Sequence, residues 1–320
     1  MKGKLKRWVV TAKRADFDAL GKQFGISPML ARIIRNRDME TPEEIGAFLN
    51  GTPDDLHDPM LLHGMDMAVA LIKGAIEGEG RIRVIGDYDA DGICATYILV
   101  TALRLCGADV SWQLPDRIKD GYGLNRDIIT KANEDQIAMI LTCDNGIAAV
   151  EEIAYAKELG MCVVVTDHHE PPEVLPAADV IIDPKQKDCS YPDPEICGAV
   201  VACKLVQALC RELHVRQPED HLQFAAFATV CDVMPLLREN RIIVKYGLEA
   251  IKKTKNIGME ALLNVTGCDR NHLSPYHIGF ILGPCVNATG RLDLAERALS
   301  LFLAQDEREA VQTARALQQL

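Results

Sequence analysis

The chain has 320 residues and an ordinary globular composition, with 48% hydrophobic and 25% charged residues. It is long enough to bury a large core and to hold more than one structural unit. Its formal net charge of −11 argues against a protein that coats nucleic-acid phosphates with basic side chains. A metal-dependent nuclease is not excluded, because bound cations reverse the field of local carboxylates.

The sequence has no recognisable signal peptide, and its cysteine usage indicates a reducing compartment. No apolar run approaches the ~18 residues of a transmembrane helix, so we expect no membrane segment. The basic residues 1–7 are followed by only three apolar residues, which is too few for a signal peptide, and we expect a cytoplasmic protein. The 11 cysteines include no C-x-x-C pair, so they predict reduced thiols without a structural zinc site.

The chain begins with a stretch whose pattern is helical. Short amphipathic segments cover residues 15–24 and 27–35, and a capping box with proline opens a helix at residues 41–44. We expect three domains: a helical leader over residues 1–75, an α/β catalytic domain over 76–235, and a helical subdomain over 236–320.

An acidic turn at residues 87–92 is the first candidate site. It follows a buried strand at residues 82–85 and precedes an apolar helix at 93–106. Asp87, Asp89 and Asp91 alternate, so in an extended chain their carboxylates converge and need a hard cation. One Asp-x-Asp would favour a solvated turn, whereas three aspartates between two apolar elements favour a metal site.

Later strands deliver further polar residues at their carboxyl ends, where ligands lie in open α/β sheets. A strand at residues 137–142 ends before Asp144, and a strand at 161–165 ends before Asp167, His168 and His169. Two acidic strand ends followed by a histidine pair are difficult to attribute to accident, and we expect a metal site there.

Three other positions carry weaker signals. Arg117 follows the predicted strand at residues 110–114 and is either a phosphate clamp or a solvated loop arginine, with the two readings about even. Asp183 precedes a proline, and we slightly prefer the role of a turn residue. Asp232 ends an apolar helix predicted over residues 222–230, which makes it a fair further ligand, because a carboxylate buried there needs a partner.

The ordered motifs Asp-x-Asp-x-Asp-Gly, Asp-Asn-Gly, Asp-His-His and Asp-Val-Met-Pro resemble those of the DHH phosphoesterase superfamily. The similarity is greatest to a branch of bacterial single-strand-specific exonucleases. It extends over essentially the whole chain through residues 26–28, 56–59, 114–117, 121–124 and 283–292.

The resemblance implies a role for each matched residue. The matched ligands of a two-manganese centre, with Mg²⁺ as the alternative ion, are Asp87, Asp89, Asp91, Asp144, His168 and Asp232. Within that set Asp144 would bridge the ions. His169 would contact the scissile phosphate or donate a proton to the leaving oxygen. Arg117, Asn287 and Arg291 match positions that bind substrate phosphates.

Members of that branch usually continue into a DHHA1 domain and an OB-type domain, and neither fits after Leu320. We expect a catalytic core or a shorter natural form, with weak grip on a strand. A second departure is Val286-Asn287-Ala288-Thr289-Gly290-Arg291, where the branch usually has Ile-Asn-Ala-Ala-Gly-Arg. Because the asparagine, glycine and arginine remain, we expect this change to be tolerated.

The predicted fold is α/β: a mostly parallel sheet of DHH type with helices on both faces, a helical N-terminal leader and a helical C-terminal subdomain. The resemblance implies a metal-dependent 5′–3′ exonuclease that degrades single-stranded DNA to mononucleotides, in repair and recombination. Single-strand-binding protein or a helicase are the expected partners.

Three alternatives stay open. The first is a phosphoesterase of the same superfamily acting on short oligonucleotides or cyclic dinucleotides, which the acidic net charge fits. The second is a haloacid-dehalogenase-type phosphatase, which needs one nucleophilic aspartate and no histidine pair. The third is a replication scaffold without catalytic activity, which the full ligand set disfavours.

Overall fold

The computed structural model describes residues 13–116, 123–292 and 295–320, without the side chains of residues 291 and 292. Contacts divide the chain into two units. The first ends at Asp55, and the second runs from Leu56 to Leu320. The domain boundaries expected near residues 75 and 235 stay predictions.

The first unit contains three helices whose starts follow from their sequence. They are α1 (Phe17–Phe24), α2 (Pro28–Arg35) and α3 (Pro42–Asn50). Each has a side-chain cap. The predicted capping box of α3 forms, because Thr41 accepts the Glu44 amide while the Glu44 carboxylate accepts the Thr41 amide.

The second unit is built on a parallel sheet. Its described strands are β1 (Ile82–Ile85), β2 (Val110–Gln113), β3 (Met139–Cys143), β4 (Cys162–Thr166) and β5 (Val180–Ile182). All neighbouring pairs are parallel, in the order β2-β1-β3-β4-β5. Because every connection must cross back over the sheet, helices lie on its faces. The α/β prediction is therefore confirmed.

Alternate strand residues pack into two separate cores. Val84 and Leu141 join a large cluster that includes the helices α4 (Met65–Glu77) and α5 (Ala90–Leu105). Ile85 and Ile140 join a smaller cluster with the helices α6 (Arg126–Glu134) and α7 (Val150–Glu158). This two-residue alternation is the normal pleat of a strand that is buried on both faces.

The chain after the sheet is helical, as predicted. Its helices are α8 (Gly198–Glu212), α9 (His221–Cys231), α10 (Arg238–Lys252), α11 (Ile257–Thr266), α12 (Pro275–His277), α13 (Gly283–Leu292), α14 (Glu296–Leu303) and α15 (Glu307–Gln319). A π-helical turn, Ile278–Leu282, connects α12 to α13. Three short 3₁₀ turns complete the described elements, at Pro53–Asp55, Pro59–Leu61 and Arg270–His272.

One predicted element starts at a different residue. Helix α5 begins at Ala90 instead of near residue 93, because the Asp89 side chain caps it by accepting the Asp91 and Gly92 amides at 2.9 and 3.1 Å. Asp91 therefore lies in a helical turn, and the extended conformation expected for this residue was wrong.

The described part of the chain contains no single helix that is long and apolar enough to cross a membrane. One bent pair of segments, Pro53–Leu61 with Met65–Glu77, reaches the required length and composition only jointly.

Candidate metal centre

The predicted ligands meet at the carboxyl edge of the sheet. Asp87 follows β1, Asp144 follows β3 and His168 follows β4, and these strands are neighbours. Each of three groups of residues brings ligand atoms within 4.8 Å of one another. The groups are Asp87, Asp89 and Asp144; Asp91, His168 and Asp232; and Asp144, His168 and His169. Asp144 and His168 each belong to two of the groups, and Asp144 Oδ1 lies 3.0 Å from His168 Nε2, so these two side chains connect the three groups.

Backbone amides at the start of α8 fix the Asp91 carboxylate. Its two oxygens accept the Gly198 and Ala199 amides at 2.7 and 2.8 Å. The first amides of a helix have no partner within the helix and carry positive partial charge, so a carboxylate is favoured there. Asp91 Oδ2 also lies 3.5 Å from His168 Nε2.

Asp144 occupies a strained and crowded position. Its φ of 60° lies in the left-handed region, which an aspartate tolerates at some cost in energy. Its Oδ1 lies 3.0 Å from His168 Nε2. Gly198 lies so close that a Cβ there would be 2.6 Å from the Asp144 Cβ. The backbone of α8 therefore packs directly against the shared carboxylate.

Asp232 enters from the C-terminal end of α9. Its amide bonds to the Ala228 carbonyl at 2.8 Å, which makes it the helix C-cap. Its Oδ2 lies 3.8 Å from His168 Nε2, so the side chain faces the ligands delivered by the sheet. The short apolar helix predicted before it is present as His221–Cys231.

The electrostatics of this cluster fit a divalent cation. Burial and the neighbouring Asp89 raise the pKa of Asp87 to about 7, and burial with Asp91 raises the pKa of Asp232 to about 7. Burial and the surrounding carboxylates also raise the pKa of Asp144. Among the described residues, Asp87 Oδ1 is buried without a hydrogen-bond partner. Cations that accept oxygen and imidazole ligands would satisfy these groups.

Asp167 orients His169 instead of joining the ligand groups. Its Oδ1 is 2.7 Å from His169 Nδ1 and accepts the His168 amide at 2.7 Å, while its Oδ2 accepts the Ile147 amide at 2.9 Å. The hydrogen bond between Asp167 Oδ1 and His169 Nδ1 raises the pKa of His169. No role for Asp167 was predicted from the sequence, although its place two residues before His169 was the available signal.

The predicted phosphate contacts are only partly described. Arg117 and the side chain of Arg291 lie outside the described residues. Asn287 Oδ1 accepts the Ala90 amide at 2.8 Å, which joins α13 to the start of α5 beside the acidic turn. The structure thus brings Asn287 to the edge of the centre, and its contact with phosphate stays a prediction.

Comparisons with known proteins identify the class. Residues 81–229 match the family described as "DHH family, N-terminal domain", and this segment of the chain is a domain of that family.

Within the family, the chain is similar to the single-stranded-DNA-specific exonuclease RecJ. It is 39% identical to RecJ of Bacillus subtilis (strain 168) over 98% of this chain and 40% of that protein. It is 36% identical to RecJ of Haemophilus influenzae over 94% of this chain and 54% of that protein. The chain therefore spans about half or less of the length of these relatives.

Solved structures agree with this assignment. A crystal structure of exonuclease RecJ bound to manganese matches with a TM-score of 0.75 and 35% identity, covering 81% of this chain and 65% of that one. RecJ of Thermus thermophilus in complex with Mn²⁺ matches with a TM-score of 0.79 and 31% identity, covering 95% of this chain and 43% of that one. The predicted DHH-type fold is thus confirmed.

Proposed function

We propose that this chain is a metal-dependent exonuclease that hydrolyses phosphodiester bonds of single-stranded DNA from the 5′ end and releases mononucleotides. The observation that carries the proposal is the position of Asp144, whose carboxylate belongs to two ligand groups within one cluster. The names of the relatives support the substrate, and their manganese complexes support the ion. Polarity and the preference for DNA rest on the resemblance.

Two cations, Mn²⁺ or Mg²⁺, are assigned to this cluster. Asp87, Asp89 and Asp144 would hold one, and Asp91, His168 and Asp232 would hold the other. Asp144 would be within reach of the second set as well, because its Oδ1 lies 3.0 Å from His168 Nε2. When bound, such a pair supplies Lewis-acid stabilisation of developing charge and a more acidic water.

The chain's own groups position the reactants and move protons. His169 Nδ1 is engaged with Asp167, so proton exchange with the leaving oxygen falls to Nε2. The carboxylate of Asp167 raises the pKa of His169 by stabilising the protonated imidazole, which favours His169 as a general acid. The amides of Gly198 and Ala199 hold Asp91 in one orientation throughout.

The test is digestion of three substrates by the 320-residue chain: a 5′-labelled single strand, its duplex, and a short dinucleotide, each with Mn²⁺ and with chelator. We expect Mn²⁺-dependent release of the labelled mononucleotide from the single strand alone. A 3′-labelled strand should give progressively shorter labelled products, which establishes the polarity.

Asp144→Ala should abolish turnover because it removes the shared carboxylate, whereas Asp188→Ala, which removes an exposed carboxylate, should leave it unchanged. Bound manganese, measured by elemental analysis, should fall only in the first variant. Substantial residual turnover in Asp144→Ala would contradict the two-metal assignment.

A second candidate function is hydrolysis of short oligonucleotides or cyclic dinucleotides, which the net charge of −11 favours because long polyanions are repelled. Turnover of the dinucleotide without turnover of the long strand would select it. No turnover of any substrate would select a scaffold role.

The cellular setting belongs to the same proposal. We place the chain in the cytoplasm, in DNA repair and recombination, with single-strand-binding protein or a helicase as the partner that supplies single strands. The test is co-purification of either partner with the tagged chain, before and after nuclease treatment. A partner that is lost after the treatment is bridged by DNA, whereas a partner that remains contacts the chain directly.

A further inference from the structure

A lysine that the sequence motifs do not include lies at the rim of the metal centre. Lys185 follows β5, the strand beside β4, and β4 leads into the histidine pair. The two loops are in contact, because the Asp167 amide donates to the Ile182 carbonyl at 3.0 Å. The turn that carries Lys185 is therefore held against the loop that carries His169.

The backbone of this turn is fixed by its own side chains. Asp183 Oδ1 accepts the Lys185 amide at 2.8 Å, and Gln186 Nε2 donates to the Ile181 carbonyl at 3.0 Å. Asp183 is fully buried, so this turn cannot move without exposing or repacking it. The predicted turn role of Asp183 accordingly agrees with its hydrogen bond to Lys185.

Among the residues that the structure describes, Glu170 is the ion-pair partner of the Lys185 ammonium group, and a substrate can displace it. Its Nζ lies 3.3 Å from Glu170 Oε1, and Glu170 is the residue after His169. The Lys185 side chain is only 17% exposed, whereas the Glu170 side chain is 84% exposed. An ion pair with such an exposed carboxylate contributes little to stability, so the ammonium group of Lys185 is well placed and loosely held.

The charge of Lys185 lies beside the loop that carries the histidine pair, because its partner Glu170 directly follows His169. Lys185 also opposes the effect of burial on the pKa of Asp183, the buried carboxyl of its own turn. A lysine ammonium at this rim offsets the repulsion between clustered carboxylates and an incoming phosphodiester.

We propose that Lys185 binds a phosphate of the substrate strand at the rim of the centre, beside His169, and that Glu170 holds the ammonium group when no strand is bound. The ligand class is a phosphodiester that is one or two linkages from the reacting one. This inference rests on the proposed function, since it names a phosphate subsite for that reaction.

The test compares Lys185→Met with Lys187→Met, which removes an exposed lysine two residues further along the chain. With a single-stranded oligonucleotide and Mn²⁺, we expect Lys185→Met to raise KM about tenfold, the loss typical of one charged hydrogen bond, with kcat and bound manganese nearly unchanged. The slope of log affinity against log salt should become shallower by about 0.7, the value for one phosphate on a single strand. Lys187→Met should change neither quantity.

Two further measurements separate a phosphate contact from a structural role. Lys185→Arg should restore KM to within about threefold, because it keeps the charge. A neutral methylphosphonate, placed in turn at the second, third and fourth linkages from the 5′ end, should raise the KM of the wild-type chain at one position and leave the KM of Lys185→Met unaffected there. The first linkage is left unmodified, because it is the one that reacts. Glu170→Gln, which frees the ammonium group, should lower KM.

The outcomes are distinguishable. An active wild-type chain whose Lys185→Met and Lys187→Met variants have the same KM and salt slope would overturn the phosphate subsite and leave the proposed function intact. A wild-type chain that cleaves no single strand would overturn both. If Lys185→Met does not fold, the methylphosphonate scan on the wild-type chain and the KM of Glu170→Gln decide: uniform effects at all linkages with an unchanged KM would refute the proposal.

Discussion

Gly198→Ala tests whether the close contact between α8 and the shared carboxylate sets the geometry of the centre. An added Cβ would lie 2.6 Å from the Asp144 Cβ and 2.9 Å from its Cα, where ordinary contacts begin at 3.4 Å. One of the two backbones must therefore move by about 0.8 Å at the first contact. Forced overpacking of this kind typically costs about 1–3 kcal/mol of unfolding free energy.

The same displacement moves Asp144 or the amides that hold Asp91. Misplacement of a reacting group by about 1 Å can lower turnover about 100-fold, so we expect kcat to fall by that order. The assays are single-strand digestion with Mn²⁺ and unfolding by urea.

Gly74→Ala is the matched control, because a Cβ at this position in α4 meets nothing within 4 Å. It should raise stability by up to about 1 kcal/mol through helix propensity and leave kcat unchanged. A Gly198→Ala variant with wild-type turnover and stability would refute the reasoning, because it would mean that the contact relaxes freely.

The remaining predictions concern other buried groups. Asp167→Asn should lower kcat about 100-fold with bound manganese unchanged, because His169 loses the carboxylate that orients and charges it; an unchanged kcat would exclude this role. Lys204→Met should lower the free energy of unfolding in urea by about 3–5 kcal/mol, because the Glu239 carboxylate is left buried without its ion-pair partner. Adding Glu239→Gln should recover part of that loss, and strictly additive losses would contradict a coupled pair. Burial lowers the pKa of His221 to about 4, so below pH ~6.5 the unfolded chain binds a proton that the folded chain does not, and stability should fall by about 1.4 kcal/mol per pH unit down to pH 4. His221→Gln should remove that part of the slope, and equal slopes would be evidence against a buried neutral imidazole.

The sequence predicted the sheet well because its strands are short apolar runs bounded by polar turns. Strand β1, Ile82–Ile85, has the predicted bounds. The strand ends also located most of the candidate ligands, because parallel strands end at a common edge regardless of how the helices pack. The DHH fold was therefore accessible from local patterns and ordered motifs.

The supporting contacts were not accessible in this way, because they join distant segments. Asp91 and the amides of Gly198 and Ala199 are separated by 107 and 108 residues, and no local pattern in either segment predicts contact with the other. The early start of α5 has a related cause, since Asp89 serves as a helix cap as well as a candidate ligand. A pattern that assigns one role to each residue misses such double use.

This double use has a physical consequence for the centre. Backbone amides already hold Asp89 and Asp91 in place, and packing against Gly198 restrains Asp144. The carboxylates are thus oriented by the fold itself, so a cation that enters has little side-chain ordering left to impose. The same restraint keeps like charges close together, and burial together with the neighbouring carboxylates raises the pKa of both Asp87 and Asp232 to about 7. A pre-oriented cluster of this kind binds a divalent cation more tightly than flexible carboxylates would, at the expense of stability in its absence.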